Sequence, residues 1–194
     1  MKEHNNDLPW LDLRLTEETM DRLWESINIS TKNNDGTSVT DVFVTYLKDK
    51  DNWFYENVLK ELSEYLSHKE SWSNYYETVV ASAKPPSEYM LKELWVNYQK
   101  QYEFNPPHKH KGLYSFVIFM KIPTHWKEQH ALPISAHSNC PHASDFAFVH
   151  SEKNTEYCNS TNFPLSSEDE GRMLFFPAWL KHMVYPFYGT EEER

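Results

Sequence analysis

The sequence predicts a mainly β protein with helices in front, the second half forming an all-β barrel or sandwich. Three observations predict it. Ten of the 11 prolines and three of the four glycines lie after residue 84. Helix-period apolar patterns are confined to the stretch before Lys84. Short aromatic and β-branched runs separated by proline-containing loops then fill the rest, the pattern of an all-β layer architecture. A length of 194 residues fits one domain with room for one sizeable core.

In chain order, Thr16 is the expected N-cap of a first helix, with Glu17 and Glu18 in its positive first turn and Met20, Leu23, Trp24 and Ile27 at helical spacing. Asn33-Asn34-Asp35-Gly36 reads as a turn. A second helix is expected from Asn52, with Phe54, Val58, Leu62 and Tyr65 or Leu66 on one stripe, and a third over residues 71–80. Lys84-Pro85-Pro86-Ser87 closes the helical part, 1–84. Strands are then expected over residues 91–99, 114–122, 145–149, 172–176 and 182–185, the second of them covered on both sides. The segment from Pro123 to Ser144 reads as a long polar loop, a functional rim or a mobile stretch.

Composition narrows the function. Aromatic residues make up 15% of the chain, which argues against disorder. The net charge is -10 and no Lys/Arg block interrupts it, so binding to nucleic acid or to a membrane surface through charge is not expected. The longest apolar run, Phe116 to Met120, is too short to span a bilayer. Cys140 and Cys158 cannot build a disulfide framework, and the polar opening Met1 to Asp7 does not read as a signal peptide. The expectation is a protein of a reducing compartment, in which the sequons at Asn28 and Asn159 carry no meaning.

Ten histidines are present. Taken singly, His4, His68, His125, His130, His137, His142 and His150 read as solvated surface. His108-Lys109-His110 is different. In an extended segment, residues two apart share a side, so both imidazoles would face one spot and Lys109 would face away. Imidazole suits Fe, Zn, Cu and Ni, which makes a metal site one reading of this pair and a hydrogen-bonded pair the other. His182 follows a strand and a turn, where it could close such a site or simply be a packed polar residue among Leu180, Met183 and Val184.

The parts that follow the helical half come in a telling order: Trp95 to Tyr98, Asn105-Pro106-Pro107-His108-Lys109-His110, Tyr114 to Phe119, Gly171 to Pro177, then His182, Pro186, Gly189 and Arg194. Over residues 90–194 the chain resembles the 2-oxoglutarate- and Fe(II)-dependent oxygenases, in particular a bacterial and phage-borne branch with an Asn-x-x-His-x-His motif. The resemblance implies a double-stranded β-helix, the jelly-roll or cupin-like barrel, with helices packed in front and the iron at one mouth. It implies His108 and His182 as ligands and Arg194 as the arginine for the far carboxylate of 2-oxoglutarate. A guanidinium grips a carboxylate with two parallel hydrogen bonds, which lysine cannot reproduce. Tyr98 could donate its hydroxyl to the same carboxylate or simply pack in the core. The implied reaction is hydroxylation of a small molecule or a protein side chain with release of succinate and CO2, in the cytoplasm of a bacterial or phage-infected cell, by a protein that could form a homodimer.

The chain departs from the family pattern twice. His110 stands where the family carries an acidic ligand, so the site is either three-histidine or has His110 beside a two-histidine centre. The family also continues past the arginine into another barrel strand, and we expect a tail to be missing here. The rival readings are a three-histidine cupin-type enzyme without 2-oxoglutarate, and a non-catalytic jelly-roll binding module. The first lacks its usual glutamate, because Lys111-Gly112-Leu113-Tyr114-Ser115 follows the histidine pair.

Overall fold

The computed structural model describes residues 8–33, 44–67, 89–151 and 158–194. The expected turn at 33–36, the third helix at 71–80 and the Lys84–Ser87 punctuation lie wholly or largely outside them. The chain divides into two compact units, 1–97 and 98–194.

The first unit holds β1 (Leu11–Arg14), α1 (Glu17–Asn33), β2 (Val44–Tyr46), α2 (Lys60–Ser67) and β3 (Trp95–Asn97). Thr16 caps α1 as the sequence implied. Its hydroxyl accepts from the Thr19 amide at 3.2 Å. Leu23 and Ile27 are buried, while Trp24 lies at the edge of the stripe, 36% exposed. The expected second stripe is shifted. A π-helical turn over Tyr55–Leu59 precedes α2. Its one extra residue rotates everything beyond it by about a quarter turn. Phe54, Tyr55, Leu59, Ser63 and Leu66 are therefore the buried set, and Val58 and Leu62 are only half-buried. Asp49 starts this segment, its carboxylate accepting from the Phe54 amide at 2.8 Å and the Tyr55 amide at 3.0 Å. β2 and β3 pair antiparallel, Thr45 opposite Val96.

The second unit is antiparallel β structure with two short helices. Its strands are β4 (Asn105–His108), β5 (Tyr114–Ile118), β6 (Phe146–Ser151), β7 (Cys158–Phe163), β8 (Arg172–Pro177) and β9 (Lys181–Val184). One sheet runs β4-β9-β6-β7, and β5 pairs with β8, Phe116 opposite Phe175. The two layers face each other through aromatic rings. Phe148 of β6 meets Phe176 of β8 with centroids 4.8 Å apart, and Phe119, just past β5, meets Phe146 at 5.8 Å. Edge-to-face rings at such separations add to the burial gain. Phe146, Phe148, Leu174 and Phe176 are all at most 1% exposed, and the core lies between these layers.

The architecture is thus mainly antiparallel β with some helices, and it fits a sandwich of the jelly-roll kind. The strands expected at 145–149, 172–176 and 182–185 appear close to their predicted places, and the one expected over 91–99 is confined to Trp95–Asn97. The one expected over 114–122 is shorter, ending at Ile118, with most of its residues only half-buried. The expected loop carries α3 (Trp126–Ala131) and α4 (Pro133–Ala136).

Candidate metal centre

Two strands and one turn build the centre. β4 is an edge strand whose Pro106 and Pro107 have no amide hydrogen to give to the ladder. Between the Asn105–Val184 and His108–His182 pairs, β4 spends one more residue than β9, and this bulge sets His108 directly opposite His182. His110 lies just past the strand, where its amide donates to the Ala178 carbonyl (2.9 Å) in the turn between β8 and β9. Lys109 between them is exposed, as alternation required.

The three imidazoles converge. Each offers a nitrogen within 4.8 Å of the other two, and the Nε2 atoms of His110 and His182 are 3.2 Å apart. Two nitrogens each about 2.1 Å from one ion, at roughly 90–110° between bonds, stand about 3.0–3.4 Å apart. The His110–His182 spacing falls in that range, which is also the range of a hydrogen bond between the two rings. Among the described residues this is the one group of three or more such side chains close enough to hold an ion.

Backbone carbonyls fix the tautomers. His108 Nδ1 donates to the Pro106 carbonyl at 2.7 Å, and His182 Nδ1 donates to the Leu180 carbonyl at 3.2 Å. Each ring then presents Nε2 as the lone-pair nitrogen, the orientation that such outer contacts enforce in metal sites. His182 is 5% exposed, with Phe176 at 5.1 Å and Phe146 at 5.7 Å between ring centroids. Burial, and after it the neighbouring His108 ring, pull it down to about 4, so it is neutral at neutral pH. A neutral all-imidazole set suits a divalent transition metal, iron included. The donor chemistry therefore fits the metal that the sequence suggested.

Residues 93–194, more than half of the chain, match the model of the family described as "Putative 2OG-Fe(II) oxygenase". The chain belongs to this family. No curated protein and no solved structure matches it. The three-histidine cluster stands at a position consistent with the iron that the oxygenase family implies.

The other residues singled out by the sequence lie elsewhere in the second unit. Arg194 is held on all sides. Its Nε and Nη2 donate to Gln99 Oε1 at 3.1 and 2.7 Å, and Nη2 also donates to the Tyr185 carbonyl at 3.0 Å. Nη1 donates to the Ser144 carbonyl at 2.7 Å and to its hydroxyl at 3.3 Å. Burial lowers Arg194 to about 10, opposed by the Asp145 carboxylate, and the group remains a cation at neutral pH. Tyr98, one residue before Gln99, has a buried hydroxyl with no partner among the described residues. Desolvation first, and then the charge of Glu193, raise it, so it stays a phenol with a proton to donate. A buried donor without an acceptor is costly unless something supplies one, and a carboxylate is such an acceptor.

Three histidines read as solvated surface prove otherwise. His130 on α3 and His142 both bind the fully buried Asp145, at 2.8 and 3.0 Å. His150 Nε2 pairs with Thr161 Oγ1 at 2.9 Å, across β6 and β7. His130 and His150 find their partners in other segments of the chain, and His142 meets Asp145 three residues on, a spacing that by itself carries no signal.

Proposed function

We propose that the protein is a 2-oxoglutarate- and Fe(II)-dependent dioxygenase that hydroxylates a small molecule or a protein side chain, releasing succinate and CO2. The observation that carries this reading is the convergence of His108, His110 and His182 on one point, inside a segment that matches the oxygenase family. The fold implied is the double-stranded β-helix, and the facing sheets of the second unit support it.

In this reading His108 and His182 hold the iron through Nε2, with His110 as the third ligand. The metal with its cosubstrate supplies the oxidising power. The chain supplies position and dryness. Pro106 and Leu180 keep two rings in the binding tautomer, and Phe146 and Phe176 exclude water from the inner side of His182. Arg194 and Tyr98 would hold the far carboxylate of 2-oxoglutarate. All five guanidinium N–H groups already have protein partners, so the carboxylate must exchange with one of them. The Ser144 hydroxyl is the weakest, at 3.3 Å, and it has a second partner in Thr124 Oγ1 at 3.1 Å.

Anaerobic addition of Fe(II) and 2-oxoglutarate tests the reading. The expected result is a weak metal-to-ligand charge-transfer band in the visible, followed by succinate release when air is admitted. Metal binding without that band indicates a cupin-type centre that does not use 2-oxoglutarate. Neither metal nor cosubstrate binding indicates a binding module.

A further inference from the structure

Asp145 is fully buried, and neither of its oxygens is left to solvent: Oδ1 receives His130 Nε2 and Oδ2 receives His142 Nδ1. The two donors come from opposite ends of one excursion, α3 and the segment just before β6. Their clamp fixes the residues on either side of the Arg194 seat. The Asp145 carbonyl accepts from the Tyr185 amide at 2.9 Å, and the Tyr185 carbonyl receives Arg194 Nη2. Ser144, the preceding residue, is held at φ 73°. A non-glycine residue keeps such a left-handed conformation only where its surroundings impose it. In that conformation both its carbonyl and its hydroxyl point at Arg194 Nη1.

We propose that Asp145, clamped between His130 and His142, is a positioning residue for the Arg194 guanidinium, acting through Ser144 and Tyr185. The inference rests on the reading of Arg194 as the cosubstrate grip. It extends that reading to residues with no assigned role. A guanidinium's hold on a carboxylate depends on orientation as well as charge. Three of the guanidinium's five hydrogen bonds end on atoms of Ser144 and Tyr185, the residues Asp145 anchors, and the other two end on Gln99. An imidazole donating through Nδ1 is mimicked by asparagine, so His142→Asn keeps the clamp that His142→Ala opens.

The test measures 2-oxoglutarate binding to the full chain loaded with Mn(II), by anaerobic calorimetry, together with the Arg194 Nε–H resonance in the NMR spectrum. Asp145→Asn and His142→Ala are expected to weaken 2-oxoglutarate about tenfold, the scale of one charge-assisted contact. Mn(II) affinity should stay within about twofold, and His142→Asn should recover most of the loss. The Arg194 Nε–H signal, protected in the parent, should broaden or vanish in the same two variants. If Asp145→Asn does not fold, His142→Ala, which keeps one donor, decides alone. Unchanged cosubstrate affinity in these variants, with Arg194→Gln weakening it, overturns the proposal and leaves the grip intact. If Arg194→Gln has no effect, the grip is wrong. The NMR signal then decides: its loss sustains positioning of the guanidinium by Asp145, and its retention refutes it.

Discussion

The metal centre and the arginine seat are built in opposite ways. His108 and His182 are neighbours in a strand ladder, so backbone pairing alone brings them face to face. Arg194 is seated by side chains and carbonyls gathered from Gln99, Ser144 and Tyr185, with Asp145, His130 of α3 and His142 behind them. A ladder is local and periodic, whereas a seat made of long-range side-chain contacts has no period at all. The first kind of site should fail with the core, and the second should fail on its own.

Removing a ring from the core is the strongest way to break that contrast. Phe148 is opposite His182 in the ladder and wholly buried. Phe148→Ala should cost about 3–5 kcal/mol, and chemical denaturation should show stability and metal affinity falling together. A stable variant that has lost only its metal would contradict the picture of a centre continuous with the core.

The pH response comes next. His182 has a folded pKa of about 4 against 6.5 for the free side chain, so the unfolded state takes up the proton first. The metal-free protein should keep its full stability above about pH 6.5 and lose it as the pH falls toward 4. The loss should approach about 3 kcal/mol, read as the drop in denaturation midpoint. A flat profile across that window would mean that His182 is not buried as described.

On the other side of the comparison, Arg194→Gln should weaken 2-oxoglutarate tenfold or more in equilibrium titrations while leaving metal affinity unchanged. Parallel loss of both ligands would erase the distinction between the two sites. A smaller effect is expected from His110→Asp. Restoring an anionic ligand should tighten Fe(II) by several-fold, because it offsets the charge of the ion, and no change would place the residue beside the centre instead of on it.

The same contrast explains what could be read in the sequence. The strands at 114–118, 146–151 and 172–177 were legible because aromatic and β-branched residues recur in them between turns. The His-x-His pair was legible because alternation in an extended chain fixes which residues share a side. His182 gained its meaning only from the order of the surrounding motif. β7, with the sequence Cys-Asn-Ser-Thr-Asn-Phe, is a polar edge strand and gave no signal. The π-helical turn at Tyr55–Leu59 defeated a stripe drawn at the ordinary helical period. His130 and His142 looked like surface because their shared partner is a carboxylate that no local pattern connects to both.

The account stands on three imidazoles sharing one ion, and Co(II) titration of the metal-free protein under anaerobic conditions tests it most directly. One cobalt per chain should bind with visible d–d absorption, and His182→Ala, still folded by circular dichroism, should show neither the binding nor the absorption. Equal cobalt affinity in the parent and in His182→Ala would contradict the assignment.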